Sequence, residues 1–197
     1  MAYLSGDETM IKNYLQGDIY LITAQQIGLI KEQYATKETH KKERELIKVL
    51  FLATGYGQGY RAIADDLECS LFQAKDYLKK FKQLYSTYTR WIEGVLDAGS
   101  VNNRLTTPYG WQRSIKGNLK WKDGKRVSIK NQLKNFPIQA TGSDVLRQAM
   151  INLIDEHFKV VALVHDAIII SCPIPESGRL VERAKEIMVQ ASEKVVG

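Results

Sequence analysis

Apolar residues return along this chain at two different spacings, and the change from one to the other marks its organisation. "SGDETMIKNYLQGD" predicts a short helix, capped by Ser5 or Asp7, with Glu8 in its first turn and Gly17 at its end. Residues 20–30 continue as a mixed helical segment. "ATKETHKKERELIKVLFLATGYG" is polar at its start and increasingly apolar, which predicts one helix stopped by Gly55 and Gly57. "SLFQAKDYLKKFKQLYSTYTRWIEGVLDAG" predicts a single long helix. Ser70-Leu71-Phe72-Gln73 matches a capping box there, and Leu71, Leu78, Phe81, Leu84, Tyr85, Tyr88 and Ile92 recur at helical spacing. Its aromatic residues are expected in a core.

From Gly99 to Arg126 the texture turns to short β-prone pieces, "TPYGWQR" and "WKDGKR" among them, with Asp123-Gly124 as a hairpin-turn signal. "VSIKNQLKNF" predicts a helix up to Pro137. "QATGSDVLRQAMINLIDEHF" predicts a second long helix, apolar at Val145, Leu146, Met150, Leu153, Ile154 and Phe158. "PESGRLVERAKEIMVQASEKV" predicts a closing amphipathic helix. Between these last two, "KVVALV" and "AIIISC" have strand composition, and His165-Asp166 is the polar break between them. A tight hairpin puts that pair at its tip and leaves the aliphatic residues to fill a core on both sides. An acid on a rigid β-turn suits a metal ligand; Asp166 reads equally as an ordinary turn residue.

Of the 197 residues 44% are hydrophobic and 25% charged, the values of a soluble globular chain. No apolar run is long enough to span a bilayer, and no signal-peptide pattern opens the chain. Cys69 and Cys172 stand alone without metal-ligand spacing, which points to a reducing cytoplasm. Charge is unevenly placed. Residues 31–134 hold 21 Lys/Arg against 11 Asp/Glu, a net of +10 within an overall +6. A basic middle suits a polyanion, although lysine-rich helix faces are also simply solvated. Within it Arg44, Lys48, Leu52 and Tyr56 are spaced by four and share a slowly drifting stripe. Two cations followed by an apolar and an aromatic residue suit a polyphosphate joined to a base. The same pattern fits an amphipathic helix whose cations pair with Glu43 and Glu45.

Together and in this order, these pieces resemble the C-terminal part of a family A (Pol I type) DNA polymerase, of phage or prophage kind. "AYLSGDETMIKNYLQGDIY" resembles the segment after that family's first catalytic motif. Arg44-x3-Lys48-x3-Leu52-x3-Tyr56-Gly57 resembles its fingers helix, "TPYGWQRSI" its Gly-Arg-rich stretch, "NQLKNFPIQATGSDVLRQAM" its Asn-x-Pro-x-Gln segment and "LVHDAIII" the His-Asp turn of its palm. The resemblance implies an α+β fold: a mostly helical fingers lobe with a partial palm that contains a β-hairpin. It divides the chain into a palm remnant over 1–17, fingers over 18–134, and palm with hairpin and C-terminal helix over 135–197.

By the same resemblance Arg44 and Lys48 contact a dNTP triphosphate, Lys48 having a catalytic part, with Leu52, Tyr56 and Tyr20 also at the nucleotide. Gly57, Arg113, Asn135, Gln139 and His165 lie at the DNA primer-template, and Asp166 is a catalytic ligand of Mg2+. The implied reaction is template-directed dNTP addition to a primer 3′-hydroxyl by two-metal phosphoryl transfer. Several positions depart from the pattern. The family's first motif, an Asp in a strand followed by Gln-x-Glu, belongs before "AYLSGD", where Met1 stands. The chain is therefore expected to be inactive alone. It would be completed by a second chain supplying the palm strand and thumb, or by self-association at an unpaired sheet edge; the alternative is a catalytically dead remnant that binds primer-template or nucleotide. Ala167 follows Asp166 where Glu is usual, Leu52 replaces Phe or Tyr, and Tyr20 replaces His. The expected location is the cytoplasm of a bacterial host.

Overall fold

The structure, a computed structural model, describes residues 1–115, 119–122, 125–128 and 133–197. It is mostly helical with, among the described residues, three two-stranded antiparallel pairs, an α+β fold. The chain forms two compact units, one of residues 1–105 and 114–135, the other of 106–113 and 136–197.

The first unit begins with α1 (Ala2–Ser5) and α2 (Glu8–Gln16). Asp7 caps α2 by accepting the Met10 N–H at 2.9 Å, and its second oxygen accepts the Tyr88 N–H at 2.9 Å. One buried carboxylate thus starts one helix and ties it to another. Asp18 caps α3 (Ile19–Gln26) in the same manner. Next come α4 (Lys41–Tyr56) and α5 (Tyr60–Asp66). Gly55 lies inside α4, and Gly57 ends it. With φ 65° that glycine takes the left-handed conformation of a Schellman cap, in which its N–H donates to the Thr54 carbonyl and the Gln58 N–H to that of Ala53.

The single long helix expected from Ser70 onward is two: α6 (Leu71–Leu84), opened by the Ser70/Gln73 capping box, and α7 (Ser86–Asn102). Tyr85 interrupts them at φ −108° and ψ 58°. Its hydroxyl is drawn inward to Thr23 Oγ1 and Asn13 Nδ2, and its ring packs against Phe51 and Phe81 at 5.7 and 5.2 Å. Burial raises the Tyr85 phenol above its ordinary pKa and keeps it neutral. Phe81, Tyr85, Tyr88 and Ile92 are core as expected; Leu71 and the aromatic Phe72 lie on the outer face of the first turn, 53% and 81% exposed, and are not.

Strands β1 (Arg104–Thr106) and β2 (Gln112–Ser114) form one pair, β3 (Leu119–Lys122) and β4 (Lys125–Ser128) another. Val127 and Ser128, expected in a helix, are strand residues opposite Lys120 and Leu119. The expected Asp123-Gly124 turn and residues 129–132 of the expected helix lie outside the described residues.

The second unit is built on α8 (Phe136–Asp155), β5 (Lys159–Val164), β6 (Ala167–Ser171) and α9 (Ser177–Val196). Leu133 and Lys134 are helical, as expected ahead of Pro137, and Pro137 itself stands in the first turn of α8, where an N–H has no intrahelical partner to lose. Leu153, Ala184 and Ile187 form the core between the two helices, and Phe158, Val160, Ile168 and Ile170 pack on it from the hairpin. Val161, Leu163 and Ile169 point the other way and are 61%, 41% and 46% exposed. The expectation that the hairpin fills a core on both sides is corrected: among the described residues one face is covered and one is open.

Candidate functional site

The stripe on α4 is formed as its spacing requires. Ile47, Leu50, Phe51 and Thr54 face inward, while Lys48, Leu52 and Tyr56 are exposed and Arg44 is half-buried. Each four-residue step turns the stripe by about 40°, so it winds around the helix between the cationic and the aromatic end.

Arg44 is held from three sides. Its Nε donates to Asp18 Oδ2 at 2.9 Å, its guanidinium carbon lies 4.9 Å from the Tyr20 ring centroid, and a terminal nitrogen is 3.5 Å from Glu45. Tyr20 in turn meets Phe51 edge-on at 5.6 Å. Partial burial pushes the Asp18 carboxyl upward. The Arg44 hydrogen bond and charge, with the N–H groups of Leu21 and Tyr20, outweigh it and hold the group below its usual range. The same pairing raises Arg44 above an ordinary guanidinium. Lys48 Nζ is 3.5 Å from Glu45 Oε2 at an exposed position, so its charge is available to a ligand. Of the two glutamates proposed as internal partners, Glu45 pairs with both cations.

Asn135 is placed differently from an open contact residue. It is 3% exposed, and an added Cβ on Gly55 would lie 3.6 Å from both its Oδ1 and the Tyr88 hydroxyl. Neither polar atom has a hydrogen-bond partner among the described residues, and burial raises the Tyr88 phenol well above its ordinary value.

In the second unit β5 and β6 pair through Val164↔Ala167 and Leu163↔Ile168, with a bulge near Val161, and leave His165-Asp166 as a two-residue tip. His165, the first central residue of this turn, has φ 56°, in the left-handed region. Glycine is the usual residue there; a histidine carries strain of order 1 kcal/mol. His165, Asp166 and Gln139 line one cavity of about 780 Å³, floored by Gly142, Leu146 and Met188. Gln139 also lines a neighbouring groove of about 340 Å³ with Arg113, Trp111 and Phe136. The sequence separation of these groups hides that they converge.

The turn that presents Trp111 and Arg113 is anchored by Asp144, a residue that spacing did not single out for this part. Its Oδ2 accepts from the Thr107 hydroxyl at 2.8 Å, and its Oδ1 from Arg147 at 3.2 Å. Thr107 Oγ1 accepts the Trp111 N–H at 3.1 Å, and Arg147 stacks 4.3 Å from the Trp111 ring. Arg113 lies 5.8 Å from the Phe136 ring.

The sequence model of DNA polymerase family A matches residues 1–196. This chain belongs to that family. Among family A relatives, DNA polymerase I of Lactococcus lactis is 26% identical over the whole of this chain, and the thermostable DNA polymerase I of Thermus thermophilus 25% over 95% of it. The chain spans 23% of the length of each. The POL domain of Pol1 from M. smegmatis, solved as a complex with DNA primer-template and dNTP, shares the fold at a TM-score of 0.82 and 21% identity over 96% of this chain and 34% of that one.

Family A polymerases use divalent metal ions, which need several oxygen ligands at one point. Among the described residues Asp166 is the one carboxylate lining its cavity, and no three His, Cys, Asp or Glu side chains converge on a common point. Magnesium takes six ligands in near-octahedral array. Asp166 alone does not build such a site.

Proposed function

We propose that this chain is the fingers-and-palm part of a DNA-directed DNA polymerase, which holds a dNTP and a primer-template for addition to a primer 3′-hydroxyl. The observation that carries this reading is the outward stripe on α4, with Arg44 fixed between Asp18 and Tyr20, in a chain whose family match runs over residues 1–196. Arg44 and Lys48 engage the triphosphate, and Lys48 offsets the charge that develops on it during transfer. Leu52 supplies an apolar wall, Tyr56 with Gly57 borders the base, and the Tyr20 hydroxyl is a further donor. Arg113, Gln139 and His165 touch primer-template. Asn135, buried as it is, acts there through a shift of its surroundings or by shaping the last turn of α4 at Gly55. The proposed fingers are residues 18–134, with palm in 1–17 and 135–197.

Asp166 is the carboxylate this chain offers to a metal, and a working centre needs more of them. The open face at Val161, Leu163 and Ile169, on a hairpin whose outer edges are unpaired among the described residues, supports a partner there. That partner is further polymerase sequence, a second chain, or another copy. The proposed place of action is a bacterial cytoplasm. That Asp166 is the one carboxylate of its cavity among the described residues also supports a second reading, in which the 197 residues bind nucleotide and primer-template without chemistry.

Primer extension in magnesium separates the two, with Asp166→Ala beside it to exclude a contaminant. Extension by the chain with a partner bearing the first motif, lost in Asp166→Ala, is the expected result. No extension in any such combination, with primer-template binding retained, would leave the binding-only reading.

A further inference from the structure

The outer face of α6 carries a feature that the nucleotide stripe does not use. Phe72 is 81% exposed in the first turn, on the side away from the buried Ala74 and Phe81. From Phe72 the same face continues through Lys75 and Lys79 to Lys82, at helical spacing and about 15 Å end to end. The three lysines line an open groove of about 440 Å³ that ends at Gln83 and Ser86. Lys82 is paired with Glu93 at 2.7 Å. Lys75 and Lys79 have no ion pair among the described residues. Asp76 is turned toward the next face of the helix and pairs with Lys80 at 2.8 Å. The face is therefore cationic, with one uncovered aromatic ring at its head.

Either half of this arrangement alone is ordinary. Lysines on a helix are commonly just solvated, and one exposed ring needs no explanation. In line, they match the way single strands are held: a ring takes the face of a base, and cations follow the phosphates. A duplex would leave the ring idle, because its bases are already stacked. We propose that Phe72, Lys75 and Lys79 on α6 bind single-stranded DNA, a site that shares no residue with the α4 stripe or with the His165-Asp166 cavity. The proposal rests on the polymerase reading for the identity of the polyanion, and makes this face the track for an unpaired template strand.

The test uses the whole chain and a fluorescein-labelled twelve-residue oligothymidylate, read by anisotropy across salt concentration. Phe72→Ala should weaken binding roughly five- to hundredfold, the range found for removing one stacking ring. Lys75→Ala/Lys79→Ala should make the slope of log K against log salt shallower by about 1.4, two single-strand phosphates' worth. Phe72→Ala should leave affinity for a blunt duplex of equal length unchanged. Lys185→Ala, an exposed lysine on α9 with no part in the proposed sites, serves as the outside control and should keep the oligonucleotide salt slope. All these side chains are exposed, and matching circular dichroism melts confirm folding. Oligonucleotide binding unaltered in affinity and slope by either variant overturns the proposal while leaving the polymerase reading intact. Equal loss on single strand and duplex overturns it too, since that marks a general basic surface. Binding of neither DNA, by any variant or the parent, defeats both.

Discussion

Replacing Asp144 should loosen the turn that carries Trp111 and Arg113, and the cost can be worked from its contacts. Asp144 is 8% exposed and Thr107 4%, so a hydrogen bond between them is formed away from water. Asp144→Ala removes the acceptor of the Thr107 hydroxyl at 2.8 Å and of Arg147 at 3.2 Å. A hydrogen bond to a charged group contributes about 1.5–3 kcal/mol, and an orphaned buried hydroxyl costs about 1–3 kcal/mol. These overlap, so a loss of about 3 kcal/mol is expected, a large part of a typical domain's 5–15 kcal/mol. Asp144→Asn keeps the shape and one acceptor and should lose about 1 kcal/mol. Thr107→Val removes the donor and should lose about 1 kcal/mol. Urea unfolding of the two singles and Asp144→Ala/Thr107→Val closes a double-mutant cycle, with a coupling of about 1.5 kcal/mol expected. Additivity within about 0.4 kcal/mol would refute the reasoning, because it would mean that the two side chains do not depend on each other. The Arg147–Trp111 stack should loosen with them, so weaker primer-template binding in Asp144→Ala is part of the same expectation.

His165→Gly should raise the unfolding midpoint, by up to about 1 kcal/mol of stability, because φ 56° is free for glycine; a lowered midpoint would contradict the strain. Tyr85→Phe should lose about 1–2 kcal/mol in denaturant unfolding, since Asn13 and Thr23 each keep one other partner, Gln26 and the Ile19 carbonyl. Asp18 is held below the ordinary carboxylate value, so its contribution is complete above about pH 4 and is lost as pH falls through its folded value. Asp18→Asn should therefore flatten the acid limb of a stability–pH curve while keeping the α3 cap; an unchanged limb would count against the pairing with Arg44.

What was legible in the sequence is what neighbours decide. The Ser70/Gln73 box, the Gly57 stop and the His165-Asp166 tip depend on residues within a few positions, and each formed as read. The break at Tyr85 was not legible, because its cause lies at Asn13 and Thr23, 72 and 62 residues away. Asp144 escaped for the same reason: its partner Thr107 is 37 residues distant. The stripe of Arg44, Lys48, Leu52 and Tyr56 could be read from spacing, but the Asp18 that holds Arg44 could not. The half-open hairpin was misread because aliphatic alternation records which positions are apolar and not whether both faces find cover.

The measurement closest to the central claim is nucleotide binding to the chain on a primer-template whose primer cannot be extended. A labelled dNTP complementary to the next template base is compared with three that are not. The account expects the complementary nucleotide to bind more tightly, and Arg44→Ala and Lys48→Ala to weaken it by roughly tenfold or more, as the loss of a charge-assisted bond to phosphate implies. Equal affinity for all four nucleotides, unchanged by either substitution, would contradict it.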